Sequence, residues 1–187
     1  MMVSIIVPCY NEEEALPYFM REIRRTEAEL SAAYGCTFEL LFVDDGSKDR
    51  TLEVLRSFAG DGVRYLSFSR NFGKEGAVFA GITQAEGDCI AVMDCDLQHP
   101  PETLIKMYRL WEDGYQVIEG VKASRGRESF IHKMFAKTFY SIISDATGID
   151  MSRASDFKLM DRQAAEEFLK LPERNVFFRA LSSWVGF

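Results

Sequence analysis

Four short apolar runs, each followed at once by acidic or amide side chains, constrain this chain more than any other feature. Val3-Ser4-Ile5-Ile6-Val7 leads into Pro8-Cys9-Tyr10-Asn11-Glu12, and Phe38-Glu39-Leu40-Leu41-Phe42-Val43 into Asp44-Asp45-Gly46-Ser47. Val63-Arg64-Tyr65-Leu66-Ser67-Phe68 leads into Arg70-Asn71, and Cys89-Ile90-Ala91-Val92-Met93 into Asp94-Cys95-Asp96. Runs of this length, apolar and bounded by turn residues, read as strands. Helical patterns separate them. One covers residues 12–34 with Leu16, Phe19, Ile23 and Leu30; a second carries Leu52, Leu55 and Phe58 behind a Ser47 or Asp49 cap; a third covers residues 74–85. Pro101 suits the first position of a helix running to Trp111, and residues 115–121 form a fifth strand. The alternation predicts an α/β fold, a Rossmann-like, mostly parallel sheet with helices on both faces, in one domain over residues 1–187. Ligands of such sheets bind beyond the carboxyl ends of the strands, where these polar residues fall.

The two commonest phosphate-cradling loops are missing from that edge. Pro8-Cys9-Tyr10-Asn11-Glu12 stands where G-x-G-x-x-G would follow the first strand, and G-x-x-x-x-G-K-[ST] occurs nowhere. A net charge of −7 argues against nucleic acid as a partner. Cys9, Cys36, Cys89 and Cys95 form no CxxC pair and have no histidine at zinc spacing, so they are expected to be reduced thiols in a cytosolic setting. No signal peptide is expected, and no window reaches the roughly 18 apolar residues of a membrane span, so a soluble chain is expected.

Acidic strand ends suit another way of holding a nucleotide. Asp94 and Asp96 are two apart, so on extended backbone they point the same way, with Cys95 turned to the opposite face. With Gln98 close behind they form a site for a hard divalent ion, which takes one or two carboxylates and completes its shell with water and substrate phosphate. The plain alternative is a solvated turn ahead of a helix. Tyr10 beside Pro8 can wall a base or pack on the core. Asp44 or Asp45 can accept from base or ribose, or simply make a turn. Arg70 and Lys74 can meet phosphate oxygens or remain surface charges.

The segments "VSIIVPCYNEEEAL", "LLFVDDGSKDRTLEVL", "LSFSRNFGKEGAVFAGI" and "AVMDCDLQHPPETL" resemble, in order and spacing, those of glycosyltransferase family 2. The resemblance is greatest to the branch that transfers sugars to polyprenyl phosphate, such as dolichyl-phosphate mannose synthases and bactoprenol glucosyltransferases, and it covers nearly the whole chain. It implies a GT-A fold, a UDP- or GDP-sugar donor, an undecaprenyl or dolichyl phosphate acceptor and inverting transfer. By position it implies a base and ribose pocket of Pro8, Tyr10, Glu12 and Asp45 supported by Asp44. It puts Arg70 and Lys74 beside the diphosphate, and Asp94, Asp96 and Gln98 around Mg²⁺ or Mn²⁺. Position 95, commonly alanine in relatives, is cysteine here and is expected to face away from the metal. In "SDFKLMDR" the resemblance makes Asp156 the residue facing the reacting sugar.

The second half adds a basic segment. Lys122, Arg125, Arg127, Lys133 and Lys137 fall within 16 residues containing one acid, Glu128. Apolar pairs from Phe130 to Ile143 recur at helical spacing, which reads as an amphipathic helix that either meets a membrane surface or packs on the sheet. The resemblance makes Arg125 and Arg127 contacts to the acceptor phosphate, with Arg179 adding charge near the diphosphate. In relatives the stretch after Trp184 leads into membrane segments. The chain is therefore expected to be a catalytic domain lacking a C-terminal membrane region and acting at the cytoplasmic face of the membrane. Single-sugar transfer is favoured, because the Q-x-x-R-W pattern of processive relatives is missing. The alternatives are transfer to a soluble saccharide or protein, or a non-catalytic module that binds nucleotide-sugars.

Overall fold

The computed structural model describes residues 1–121 and 155–170. In chain order the described elements are β1 (Met2–Cys9), α1 (Leu16–Tyr34), β2 (Thr37–Asp44), α2 (Thr51–Phe58) and β3 (Val63–Ser67). They continue with α3 (Lys74–Gln84), β4 (Cys89–Val92), α4 (Thr103–Glu112), β5 (Val117–Glu119), β6 (Lys158–Asp161) and α5 (Arg162–Lys170). The six strands make one sheet in the order β3-β2-β1-β4-β6-β5.

Strand β1 is central because both of its faces are covered. Val3, Ile5 and Val7 point into a core shared with Phe19 and Ile23 of α1, Leu55 of α2 and Met107 and Tyr108 of α4. Ile6 points the other way, against Ala77, Val78 and Ile82 of α3 and Ala165 and Phe168 of α5. Each large side chain so buried contributes about 1.5–3 kcal/mol relative to exposure. The parallel pairing of β1 with β2 sets Cys9 opposite Asp44, and that of β2 with β3 sets Asp44 opposite Ser67. Three strands therefore end on one rung, and the loops that follow them share one edge.

Helix α3 lies close on the sheet because residue 81 is glycine. A Cβ there would stand 2.4 Å from Ile6 Cγ2, a fully buried side chain with no room to yield. Gly81→Ala is expected to destabilise the fold by about 1–3 kcal/mol, read as a lower urea midpoint at unchanged slope.

The sheet is mostly parallel, as expected; among the described strands β6 alone runs antiparallel, between β4 and β5. Three expected element bounds are corrected. The fifth strand, expected over residues 115–121, is limited to Val117–Glu119, the residues that pair with Lys158, Leu159 and Met160 of β6. Helix α1 begins at Leu16, not residue 12, because Pro17 cannot sit in a helix interior and so marks the first turn. That leaves residues 12–15 as a turn closed by the Ala15 amide donating to the Glu12 carbonyl at 3.1 Å. Strand β4 ends at Val92, so Asp94 and Asp96 sit in a turn, and Leu97 beyond them has φ 56°. The expected amphipathic helix around Phe130 to Ile143 lies outside the described residues.

Candidate active site

A cavity of about 320 Å³ opens at the carboxyl edge of β1, β2, β3 and β4. Pro8, Cys9, Tyr10 and Glu12 line it from the loop after β1, and Asp45 from the loop after β2. Asn71, Gly73 and Lys74 enter from the loop after β3 and the start of α3, and Asp94, Cys95 and Asp96 from the turn after β4. Of the residues singled out in sequence, Pro8, Tyr10, Glu12, Asp45, Lys74, Asp94 and Asp96 thus share one cavity.

Hydrogen bonds between loops fix this arrangement. Asn11, at φ 57°, donates its backbone amide to Ser47 Oγ (2.9 Å) and accepts from the Lys48 amide on its Oδ1 (2.9 Å). The Glu12 amide donates to Thr51 Oγ1 at 2.7 Å and the Glu13 amide to Asp49 Oδ2 at 3.2 Å. Four bonds therefore clamp the Asn11–Glu13 segment onto the loop after β2 and the first residue of α2. The two adjacent aspartates then divide the work. Asp44 accepts from the Ser47 amide and the Ser67 hydroxyl, both at 2.9 Å, and holds its own turn. Asp45 accepts from the Phe72 amide at 2.7 Å and the Gly73 amide at 2.9 Å, tying the loop after β3 to the cavity wall.

Four carboxylates (Glu12, Asp45, Asp94 and Asp96) line the cavity against one ammonium, that of Lys74. The crowding shows at Glu12. Burial, reinforced by Asp96 and Asp94 and opposed by a hydrogen bond with Cys95, pushes its carboxyl above the usual glutamate value. Glu12 therefore stands beside the acidic pair, in addition to bordering the nucleotide pocket expected for it. A surplus of carboxylates fits a cation. Among the described residues no three His, Cys, Asp or Glu side chains converge into a metal cage. The donor set fits the open kind of site, in which a hard ion takes one or two carboxylates and fills the rest with water and phosphate. Asp94 and Asp96 are the residues available for it.

Other expected positions fall elsewhere. Arg70 does not line the cavity; its guanidinium stacks on the Phe72 ring, 3.9 Å from the centroid. Gln98 does not line it either, and its amide donates to Asp96 Oδ1 at 3.0 Å. Cys95 was expected to face away from the acidic pair, but that rested on extended backbone. In the turn it lines the same cavity, buried beside Cys9, whose thiol burial pushes well up and Cys95 pushes further. All four cysteines are free and buried. Asp156 reaches the site through Lys74, whose Nζ lies 2.8 Å from its Oδ2. Arg125, Arg127 and Arg179 lie outside the described residues. Sequence reasoning gave no role to Asn71 or to the Gly73 amide. The available signal was their place in "RNFGKE", directly after a strand end.

The sequence model of glycosyl transferase family 2 matches residues 4–169. The chain belongs to glycosyl transferase family 2. It is 43% identical over 187 residues to the uncharacterized glycosyltransferase YkcC of Bacillus subtilis, covering 98% of this chain and 57% of that protein. It is 36% identical over 189 residues to the prophage bactoprenol glucosyl transferase homolog of Escherichia coli, covering 100% of this chain and 60% of that protein. The chain thus spans somewhat more than half the length of these relatives. Among solved structures, mannosyltransferase PcManGT from Pyrobaculum calidifontis, in complex with GDP-Man and Mn²⁺, superposes with a TM-score of 0.63 at 19% identity. That match covers 93% of this chain and 48% of the other. The fold is that of the GT-A glycosyltransferases. Among the described residues no helix is long and apolar enough to cross a membrane.

Proposed function

We propose that this family 2 chain carries out inverting, metal-dependent transfer of a sugar from a UDP- or GDP-sugar to a polyprenyl phosphate, at the cytoplasmic face of a membrane. The observation that carries the reading is the 36% identity, along the whole chain, to a bactoprenol glucosyl transferase homolog. The cavity is consistent with it. Tyr10, exposed beside Pro8, offers a flat ring to a base, and Asp45 offers carboxylate oxygens to base or ribose. Asp94 and Asp96 would hold Mg²⁺ or Mn²⁺, which supplies charge neutralisation to a departing diphosphate.

In the reaction an acceptor phosphate oxygen attacks the anomeric carbon from the face opposite the nucleotide. The new C–O bond forms as the bond to the diphosphate breaks, and the nucleoside diphosphate leaves with the electron pair. A phosphate monoester has its second pKa near about 6, so the nucleophile is already anionic at neutral pH. Asp156 therefore orients the sugar or the acceptor instead of removing a proton. The basic segment supplies the acceptor side, with Arg125 and Arg127 gripping its phosphate and Arg179 near the diphosphate. Replacing Arg125 and Arg127 together by alanine is expected to raise the acceptor KM at least about tenfold while donor Kd moves less than about threefold. Equal effects on both would move the arginines away from the acceptor.

The deciding experiment incubates the protein with UDP-glucose, GDP-mannose or a UDP-N-acetylhexosamine, Mn²⁺ and undecaprenyl phosphate, and follows sugar into the lipid phase. Transfer to soluble saccharides alone would replace the acceptor. Tight nucleotide binding with no transfer to any acceptor would leave only a binding module.

A further inference from the structure

Lys74 joins two carboxylates that reach the cavity from distant parts of the chain. It is the first residue of α3, and its Nζ lies 2.7 Å from Asp94 Oδ1 and 2.8 Å from Asp156 Oδ2. Asp94 follows β4 and Asp156 precedes β6. The antiparallel β4–β6 pairing, with Val92 opposite Lys158, brings both to one edge. The amino end of a helix carries partial positive charge, so an ammonium there is disfavoured unless anions offset it. The two carboxylates do so. Burial would lower the lysine, yet Asp94 and Asp156 outweigh it and hold the ammonium above its ordinary value. Among the described residues lining the cavity, Lys74 is the one cation.

We propose that Lys74 is a resident counter-cation: its ammonium occupies the charge position between Asp94 and Asp156 in the donor-free protein, and so keeps a divalent cation weakly bound until a nucleoside diphosphate draws the ammonium away. The diphosphate's identity rests on the sugar-transfer reading; the competition for Asp94 does not. A compact charge on a flexible four-carbon stem can change partners by rotating about its own side-chain bonds, with the backbone of α3 in place. Phosphate oxygens entering the cavity would compete with Asp94 for Lys74, and Asp94 would become free for the cation. Nucleotide and cation would then each strengthen the other's binding by the same factor.

The test titrates Mn²⁺ alone into the full chain and into Lys74→Met and Lys74→Arg, by calorimetry or by the electron-spin signal of free Mn²⁺. Lys74→Met is expected to bind Mn²⁺ about tenfold more tightly than wild type, since a unit charge a few ångströms from the ligand is lost. Lys74→Arg, which keeps the charge, is expected to stay weak. Repeating the titration with saturating UDP or GDP is expected to tighten Mn²⁺ binding by a larger factor in wild type than in Lys74→Met. Thermal melting checks that the variants are folded, and Lys74→Gln replaces Lys74→Met should the latter fail. Equal Mn²⁺ affinities in wild type and the neutral variants would overturn the proposal, as would an unchanged coupling factor. If neither UDP nor GDP binds any variant, the donor reading falls, and the Mn²⁺-alone titration still decides the role of Lys74.

Discussion

Asp96→Ala is expected to lower sugar transfer by about a thousandfold or more and to leave the fold intact. The size follows from the role. A divalent ion that offsets charge on a departing diphosphate supplies several kcal/mol at the transition state, and about 4 kcal/mol corresponds to a factor of roughly a thousand. The harmlessness to folding follows from the surroundings. Asp96 is exposed, and the one hydrogen bond described for its carboxylate is local, from the Gln98 amide two residues away. Surface changes of this sort usually stay within about 0.5 kcal/mol. Melting temperature and far-ultraviolet circular dichroism should therefore match wild type while turnover collapses. The same collapse is expected when wild type is stripped with a chelator, with recovery on adding Mn²⁺ or Mg²⁺. An active Asp96→Ala protein, or a chelated wild type running at full rate, would remove the metal from the proposed chemistry.

The parts of the fold that were legible in sequence are those whose burial is continuous. β1, β2 and β4 are covered on both faces, so their residues are mostly apolar, with the buried Ser4 and Glu39 hydrogen-bonded to each other, and the runs announce themselves. β6 was not legible, for a physical reason. It has four residues, and its first, Lys158, is fully buried and ion-paired with Glu119 of the neighbouring strand. A lysine in a short run reads as a surface position until the partner that makes its burial tolerable is known, and that partner lies 39 residues away. The site divides in the same way. Residues just beyond strand ends, such as Tyr10, Asp45 and Asp94, could be placed from strand positions alone. Arg70 could not, because its guanidinium is taken up by Phe72, a neighbour close in sequence whose ring direction no spacing reveals. Cys95 failed through a single premise, since its predicted direction required strand geometry three residues past the point where β4 stops.

Gly46→Ala is expected to cost about 3 kcal/mol of stability and at least about a tenfold loss of nucleotide affinity, although Gly46 lines no part of the cavity. Two effects add at this position. Its φ of 69° is left-handed, which costs a residue with a Cβ about 1–2 kcal/mol. The added Cβ would also stand 2.4 Å from the backbone carbon of Arg70, and backbone cannot rotate away as a flexible side chain can. The segment after β3 must then shift, and it carries the Phe72 and Gly73 amides that bind Asp45, with Lys74 immediately following. Gly35→Ala separates the two effects. Gly35 ends α1 at φ 67°, and a Cβ there meets nothing within 4 Å. It should lose only the conformational cost and leave nucleotide binding unchanged. Urea unfolding of both variants, paired with calorimetry using UDP and GDP, measures the difference directly. Equal costs at the two glycines would mean that the contact between residue 46 and Arg70 is loose. The Asp45 wall would then owe its position to the hydrogen bonds of its own carboxylate and not to close packing of the two loops.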